Sequence, residues 1–262
     1  MTSKRSNHHP EFTNNRKTVD KTSASEMIIV TDAHVSKTEN NHSAFFDMLK
    51  FFEGNHHDLI FLGDIFDLWV ALADYESDVH HDFLNWCQEQ KKYRSIGFVE
   101  GNHEFYLATE RAQDFTWISS GTWYQKDSGI LFVHGDQINR QDRLHLGFRK
   151  LLKSSIAKFL MRKLPFGPSF AESIKQHLKL TNSKFQLKLP LDEIKVFADS
   201  KFAEGVETIF MGHFHQEHIY SNRESKSLYI LPDWFSSQKV TAFNQKSKET
   251  TFLHWKKIQD QL

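Results

Sequence analysis

The stretch Leu59-Ile60-Phe61-Leu62-Gly63-Asp64-Ile65-Phe66-Asp67-Leu68-Trp69 decides the fold. Its first four residues are apolar without alternation and too few for a helix, the pattern of a strand buried on both faces. Gly63 ends the run, and two carboxylates stand just beyond it. The same punctuation recurs along the chain. Met27–Val30 leads to Asp32-Ala33-His34, and Ile96–Val99 leads to Gly101-Asn102-His103-Glu104. Ile130–Val133 precedes His134-Gly135-Asp136, and Thr208–Met211 ends at Gly212-His213-Phe214-His215. Phe45, Phe46, Leu49 and Phe52 recur at helical spacing over 42–53, with Gly54 as the stop, and 76–92 reads as a second helix. Strands alternating with helices predict an α/β domain. Segments 217–221, 227–231, 239–243 and 250–255 read as shorter, hairpin-like strands.

Composition narrows the class. The chain has 262 residues, 39% hydrophobic and 25% charged, which excludes collagenous, coiled-coil and wholly disordered chains. Its 33 basic and 33 acidic residues cancel, so the whole chain is not an electrostatic nucleic-acid binder. Cys87, the single cysteine, leaves no internal disulfide and no Cys-rich zinc site, and fits a reducing cytoplasm. No apolar run approaches the ~18 residues of a membrane span, and the N-terminus lacks a signal-peptide core. Residues 1–25 are polar and read as a disordered leader, with 26–262 a single domain.

Each polar cluster is weak alone, but five of them follow five apolar runs. In an open α/β sheet, ligands bind beyond the carboxyl ends of the strands. That edge gathers imidazoles and carboxylates, the donor set of zinc, manganese or iron. In an extended segment residues i and i+2 share a side, so Asp32 with His34, and His213 with His215, can each reach one metal. No serine or cysteine nucleophile is evident, which points to direct attack by water.

This order of motifs resembles the calcineurin-like metallophosphoesterases over about residues 27–255. The resemblance implies a four-layer α/β/β/α metallophosphoesterase sandwich holding two divalent ions, Mn2+ in the first instance, with Zn2+ or Fe as alternatives. It assigns Asp32, His34 and His215 to one metal, Asn102, His134 and His213 to the other, and Asp64 as the bridge. His103 resembles the superfamily's non-ligand catalytic histidine, with Glu104 orienting its ring, and Asp67 and Asp136 support the ligands.

Residues 140–190 differ from the rest, with twelve Lys and Arg against Asp142 and Glu172. Leu144, Phe148, Leu151, Leu152, Ile156, Phe159 and Leu160 form one helical stripe, with cations mostly opposite. This basic helical insert, about 140–205, resembles in layout the lid of UDP-2,3-diacylglucosamine pyrophosphatases. So does the segment Leu62–Trp69. The implied reaction is hydrolysis of UDP-2,3-diacylglucosamine to UMP and 2,3-diacylglucosamine 1-phosphate, on the inner face of the cytoplasmic membrane. Arg149, Asn182, Lys184 and Trp234 are the expected substrate contacts, and an anionic bilayer is the expected partner of the cations. Two departures stand out: those enzymes carry Arg where this chain has His103, and their Asn/Ser/Lys-rich lid stretch is only echoed by Thr181-Asn182-Ser183-Lys184. The alternatives are a phosphodiesterase, a nuclease, a protein phosphatase, or a non-enzymatic scaffold. Nucleic acid is disfavoured because the helical stripe accounts for the aromatics, and a scaffold because every metal ligand is present. His8-His9, His56-His57 and His80-His81 read as ordinary surface or boundary positions.

Overall fold

A computed structural model describes residues 26–125, 127–138, 151–163 and 189–260. The leader and most of the basic insert, including Arg149, Asn182 and Lys184, lie outside them. Within the described residues, all five anticipated core strands form, and they divide between two sheets. One sheet contains β1 (Glu26–Val30), β2 (Asp58–Leu62), β4 (Ile96–Val99), β6 (Trp117–Ser119), β12 (Lys239–Asn244) and β13 (Thr250–His254), in the order β13-β12-β1-β2-β4-β6. The other contains β7 (Thr122–Gln125), β8 (Ile130–Val133), β9 (Thr208–Met211), β10 (His218–Ser221) and β11 (Ser227–Ile230), in the order β10-β11-β9-β8-β7. β1, β2 and β4 pair in parallel, as do β8, β9 and β11. A two-stranded patch joins β3 (Trp69–Val70) to β5 (Glu104–Phe105).

Parallel strands need both faces covered, and three apolar clusters do this. Met27, Ile29, Ile60 and Leu62 face Ile130, Phe132 and Phe210 between the sheets. On the outer face of the first sheet, Ile28, Val30 and Phe61 meet Phe45, Phe52 and Phe83 of α1 (His42–Phe52) and α2 (Asp78–Gln90). Over the second, Leu131, Ile209 and Met211 meet Ile194, Ala198 and Phe202 of the helix Leu191–Ala203. The result is the expected α/β/β/α order. That last helix, inside the span assigned to the insert, is part of the sandwich.

The many phenylalanines are explained here. Phe61 stands edge-on to Phe83 at 4.9 Å and Phe66 to Phe83 at 5.3 Å, pairs worth about 1 kcal/mol each beyond their burial. α1 ends at Phe52, with Glu53 at its cap in right-handed conformation and Gly54, the expected stop, directly after it. His80 is not a surface residue. Its ring is buried, stacked on Trp69 at 5.0 Å, and its Nδ1 accepts from the Ser77 backbone N–H at 3.0 Å, closing the first turn of α2.

The insert helix, Ser155–Lys163, carries most of its apolar stripe outward. Leu152 and Met161 are buried with Val70, Phe105 and Tyr106, whereas Leu151, Ile156, Phe159 and Leu160 are each more than half exposed. Three cations of the insert pair with acids of the body: Lys158 and Arg162 reach Glu110 at 2.6 and 2.7 Å, and Lys153 reaches Glu100 at 2.9 Å. Leu144, Phe148 and Lys150 lie outside the described residues. No helix among the described residues is long and apolar enough to cross a membrane.

Burial holds the His80 pKa down to about 4, with Glu76 opposing and His81 assisting. The folded chain keeps a neutral ring between that value and 6.5, where the unfolded chain takes a proton. Its contribution is thus complete above pH 6.5 and is lost as pH falls toward 4. Between pH 6.5 and 4.5 the loss is about 2 kcal/mol. The stability gap between wild type and His80→Gln, read by urea unfolding, should narrow by that amount; a gap independent of pH would contradict it.

Candidate metal centre

The five strand-end clusters converge at one edge of the sandwich. Asp32 and His34 follow β1, Asp64 follows β2, Asn102 follows β4, His134 follows β8, and His213 and His215 follow β9. Five of these seven residues have left-handed backbone: Asp32 (φ 50°), His34 (41°), Asp64 (52°), His213 (73°) and His215 (52°). Non-glycine residues rarely adopt that region, and such strain collects at functional sites. It also replaces the extended geometry expected of Asp-x-His and His-x-His. Each chain bends as it leaves its strand, and His213 and His215 go to different groups.

Ligand atoms of Asp32, His34 and His215 lie within 4.8 Å of one another, as do those of Asp64, His134 and His213. Both carboxylates are divided in the same way. Asp32 Oδ2 accepts from the His213 backbone N–H and the Thr31 hydroxyl, each at 2.8 Å. Asp64 Oδ1 accepts from the His103 N–H at 2.9 Å. The second oxygens, Asp32 Oδ1 and Asp64 Oδ2, are buried without a hydrogen-bond partner. Buried carboxylate oxygens in that condition need a cation.

The imidazoles are set to match. His134 Nδ1 donates to the Leu62 carbonyl at 3.0 Å, which leaves Nε2 toward Asp64 Oδ2 at 3.3 Å and Asn102 Oδ1 at 3.2 Å. Metal-binding histidines commonly fix their outer nitrogen in this manner. His213 is held neutral, its pKa lowered to about 3 by burial and then by His134, and burial likewise lowers that of His34. Neutral rings are the form that binds metal. His134 behaves oppositely: although burial opposes charge, the adjacent Asp64 raises its pKa to about 10. A cation would take the place of that proton.

Glu104 does not orient the His103 ring. Its buried carboxylate accepts from the N–H groups of Asp64 (2.8 Å), Ile65 (2.7 Å) and Gly101 (2.8 Å), tying two ligand loops together. His103 is instead held by the Asp67 carbonyl, to which its Nδ1 donates at 2.5 Å. That bond turns Nε2 toward Asp64 Oδ2, 3.8 Å away. An Asp67 carboxylate oxygen lies within 4.8 Å of His34 and His103 ligand atoms, and Asp136 is buried beside His134 and His213. Two glycines admit these approaches. A Cβ on Gly101 would stand 2.2 Å from Asp64 Oδ1, and one on Gly63, at φ 80°, would stand 2.3 Å from His134 Nδ1.

Trp234 is not at the mouth. Asp233 caps a single helical turn, accepting from Ser236 N at 2.7 Å, and the turn buries Trp234 edge-on against Phe45. Phe235 emerges instead, partly exposed, with its ring 6.2 Å from that of His34. The capping aspartate was the available signal, since one turn of helix exchanges the buried and exposed faces.

The family profile described as calcineurin-like phosphoesterase matches residues 27–217. A UDP-2,3-diacylglucosamine hydrolase of Blochmanniella pennsylvanica is 26% identical, covering 86% of this chain and 95% of its own length. Enzymes of the same name from Shewanella pealeana and Pseudomonas syringae pv. syringae are each 24% identical, covering 85% and 79% of this chain and 95% and 88% of their own. A dimetal phosphatase structure from Danio rerio aligns at a TM-score of 0.43 with 13% identity, covering 88% of this chain and 98% of that one. The profile match takes in all five strand ends, and the chain belongs to the calcineurin-like phosphoesterase family of metal-dependent hydrolases.

Proposed function

We propose that this protein hydrolyses the phosphoanhydride of UDP-2,3-diacylglucosamine, giving UMP and 2,3-diacylglucosamine 1-phosphate. The observation that carries the reading is the insert: four exposed apolar side chains on a segment that Lys153 ties to the Gly101 carbonyl of a strand-end loop suit a substrate bearing both phosphates and acyl chains. The names of the relatives support the same specificity.

Asp32, His34 and His215 would hold one divalent ion and Asn102, His134 and His213 the other, with Asp64 between them. Such a pair supplies Lewis-acid charge to phosphoryl oxygens and lowers the pKa of water. The chain's own groups account for the rest. Water forms a new P–O bond at phosphorus as the bridging P–O bond breaks, and the departing phosphate accumulates negative charge. His103, fixed through Nδ1 by the Asp67 carbonyl, turns Nε2 toward that charge, to neutralise it or supply a proton. Leu151, Ile156, Phe159 and Leu160 receive acyl chains or rest on the bilayer interface. Lys153, Lys158 and Arg162 are bound to Glu100 and Glu110, so the part that the described helix plays at a membrane rests on its apolar face.

Manganese-loaded protein should release UMP from UDP-2,3-diacylglucosamine, and Asp64→Ala should lower the rate by at least about 100-fold while the fold persists. A wild type that cleaves only a generic phosphodiester would discard the lipid specificity and keep the site. Undiminished turnover in Asp64→Ala would remove Asp64 from its bridging place. Phe159→Ser with Leu160→Ser should reduce co-sedimentation with anionic liposomes, leaving cleavage of a small phosphodiester within about twofold. Unchanged co-sedimentation would set the apolar face aside.

A further inference from the structure

The insert helix meets the body mostly at a distance from the ligands. Tyr75 Oη donates to the Met161 carbonyl at 3.1 Å, Tyr106 Oη donates to the Leu152 carbonyl, and Lys158 and Arg162 grip Glu110. Lys153 does something different. Its side chain is only 14% exposed, and its ammonium donates to Glu100 Oε2 at 2.9 Å and to the Gly101 carbonyl at 3.0 Å and lies 5.9 Å from the centre of the Phe105 ring.

The Gly101 carbonyl belongs to the peptide that opens the ligand loop, and the next two side chains are Asn102 and His103. The other end of Gly101, its N–H, is bound by Glu104. Glu100 is itself fixed, its Oε1 accepting from the Ala108 N–H at 2.9 Å. The two peptide planes that meet at Gly101 are therefore both held, the Glu100–Gly101 plane by Glu104 from the body and the Gly101–Asn102 plane by Lys153 from the insert. A buried ion pair contributes little net stability but much geometric definition, because its bonds are directional and either partner alone is costly to bury.

We propose that Lys153 is a positioning residue that couples the insert to the Gly101-Asn102-His103 loop, so that the seating of the insert sets the orientation of Asn102 and His103. It touches no reacting atom. Its effect passes through the Gly101–Asn102 peptide, and a substrate ordering the insert would thereby order the loop. The proposal rests on the strand-end cluster being a phosphoester-cleaving metal centre.

The test compares wild type, Lys153→Met and Lys153→Arg as full chains. In metal-free protein, hydrogen exchange at residues 101–104 should quicken about tenfold in Lys153→Met, with the amides of β2 unchanged. With manganese, kcat on a small phosphodiester lacking acyl chains should fall about 10- to 100-fold at nearly constant KM, and Lys153→Arg should recover most of it. If Lys153→Met does not fold, Lys153→Gln takes its place in both measurements. Unchanged exchange at 101–104, a fall in KM and kcat matched by global unfolding, or no recovery with arginine would each overturn the coupling. A wild type inert toward every phosphoester, with exchange still quickened in the variant, would overturn the hydrolytic reading and leave the coupling standing.

Discussion

The carboxylate of Glu104 is the contact on which the site depends. It is wholly buried, and it satisfies three backbone donors drawn from two loops that are about 40 residues apart in the chain. Those loops carry Asp64 and Asn102. Without the carboxylate, three buried N–H groups would lose their acceptor, each costing about 1–3 kcal/mol. Burial, with Asp64 next to it, pushes the Glu104 pKa up to about 7, so the group is held close to the limit at which a buried carboxylate stays charged. The loops are thus drawn together against an electrostatic cost.

That cost has a purpose in the arrangement of charge. Asp32 and Asp64 each give one oxygen to the protein and keep the other buried and unbonded, while His34 and His213 are held neutral. A site with this division is short of positive charge and supplied with lone pairs. Divalent cations would resolve both conditions together. The left-handed backbone at five of the candidate ligands is the conformational counterpart, since a chain leaving a strand without a bend would carry its side chain past the edge.

The insert combines ion pairing with an outward apolar face. Lys158 and Arg162 pair with Glu110, and Lys153 with Glu100, while Leu151, Ile156, Phe159 and Leu160 stay exposed. Lys153 ties the segment that carries this face to the loop that bears Asn102.

The sequence by itself determined the five core strands, the helices over β1, β2 and β4, and the convergence of the polar clusters on one edge, but not the short strands β3, β5, β6 and β7. The former follow from local burial, which periodicity and short apolar runs report directly. Only the tertiary structure decided how the donors are shared. His213 and His215 bend left-handed where extended backbone was expected, Glu104 serves two loops in place of the His103 ring, and one turn of helix buries Trp234 while exposing Phe235. His80 goes inside because Trp69 offers its face and Ser77 its N–H. Each of these outcomes turns on a partner or a bend that spacing along the chain does not encode. A carboxylate, an imidazole or a cation takes its place from whichever group folding brings opposite to it.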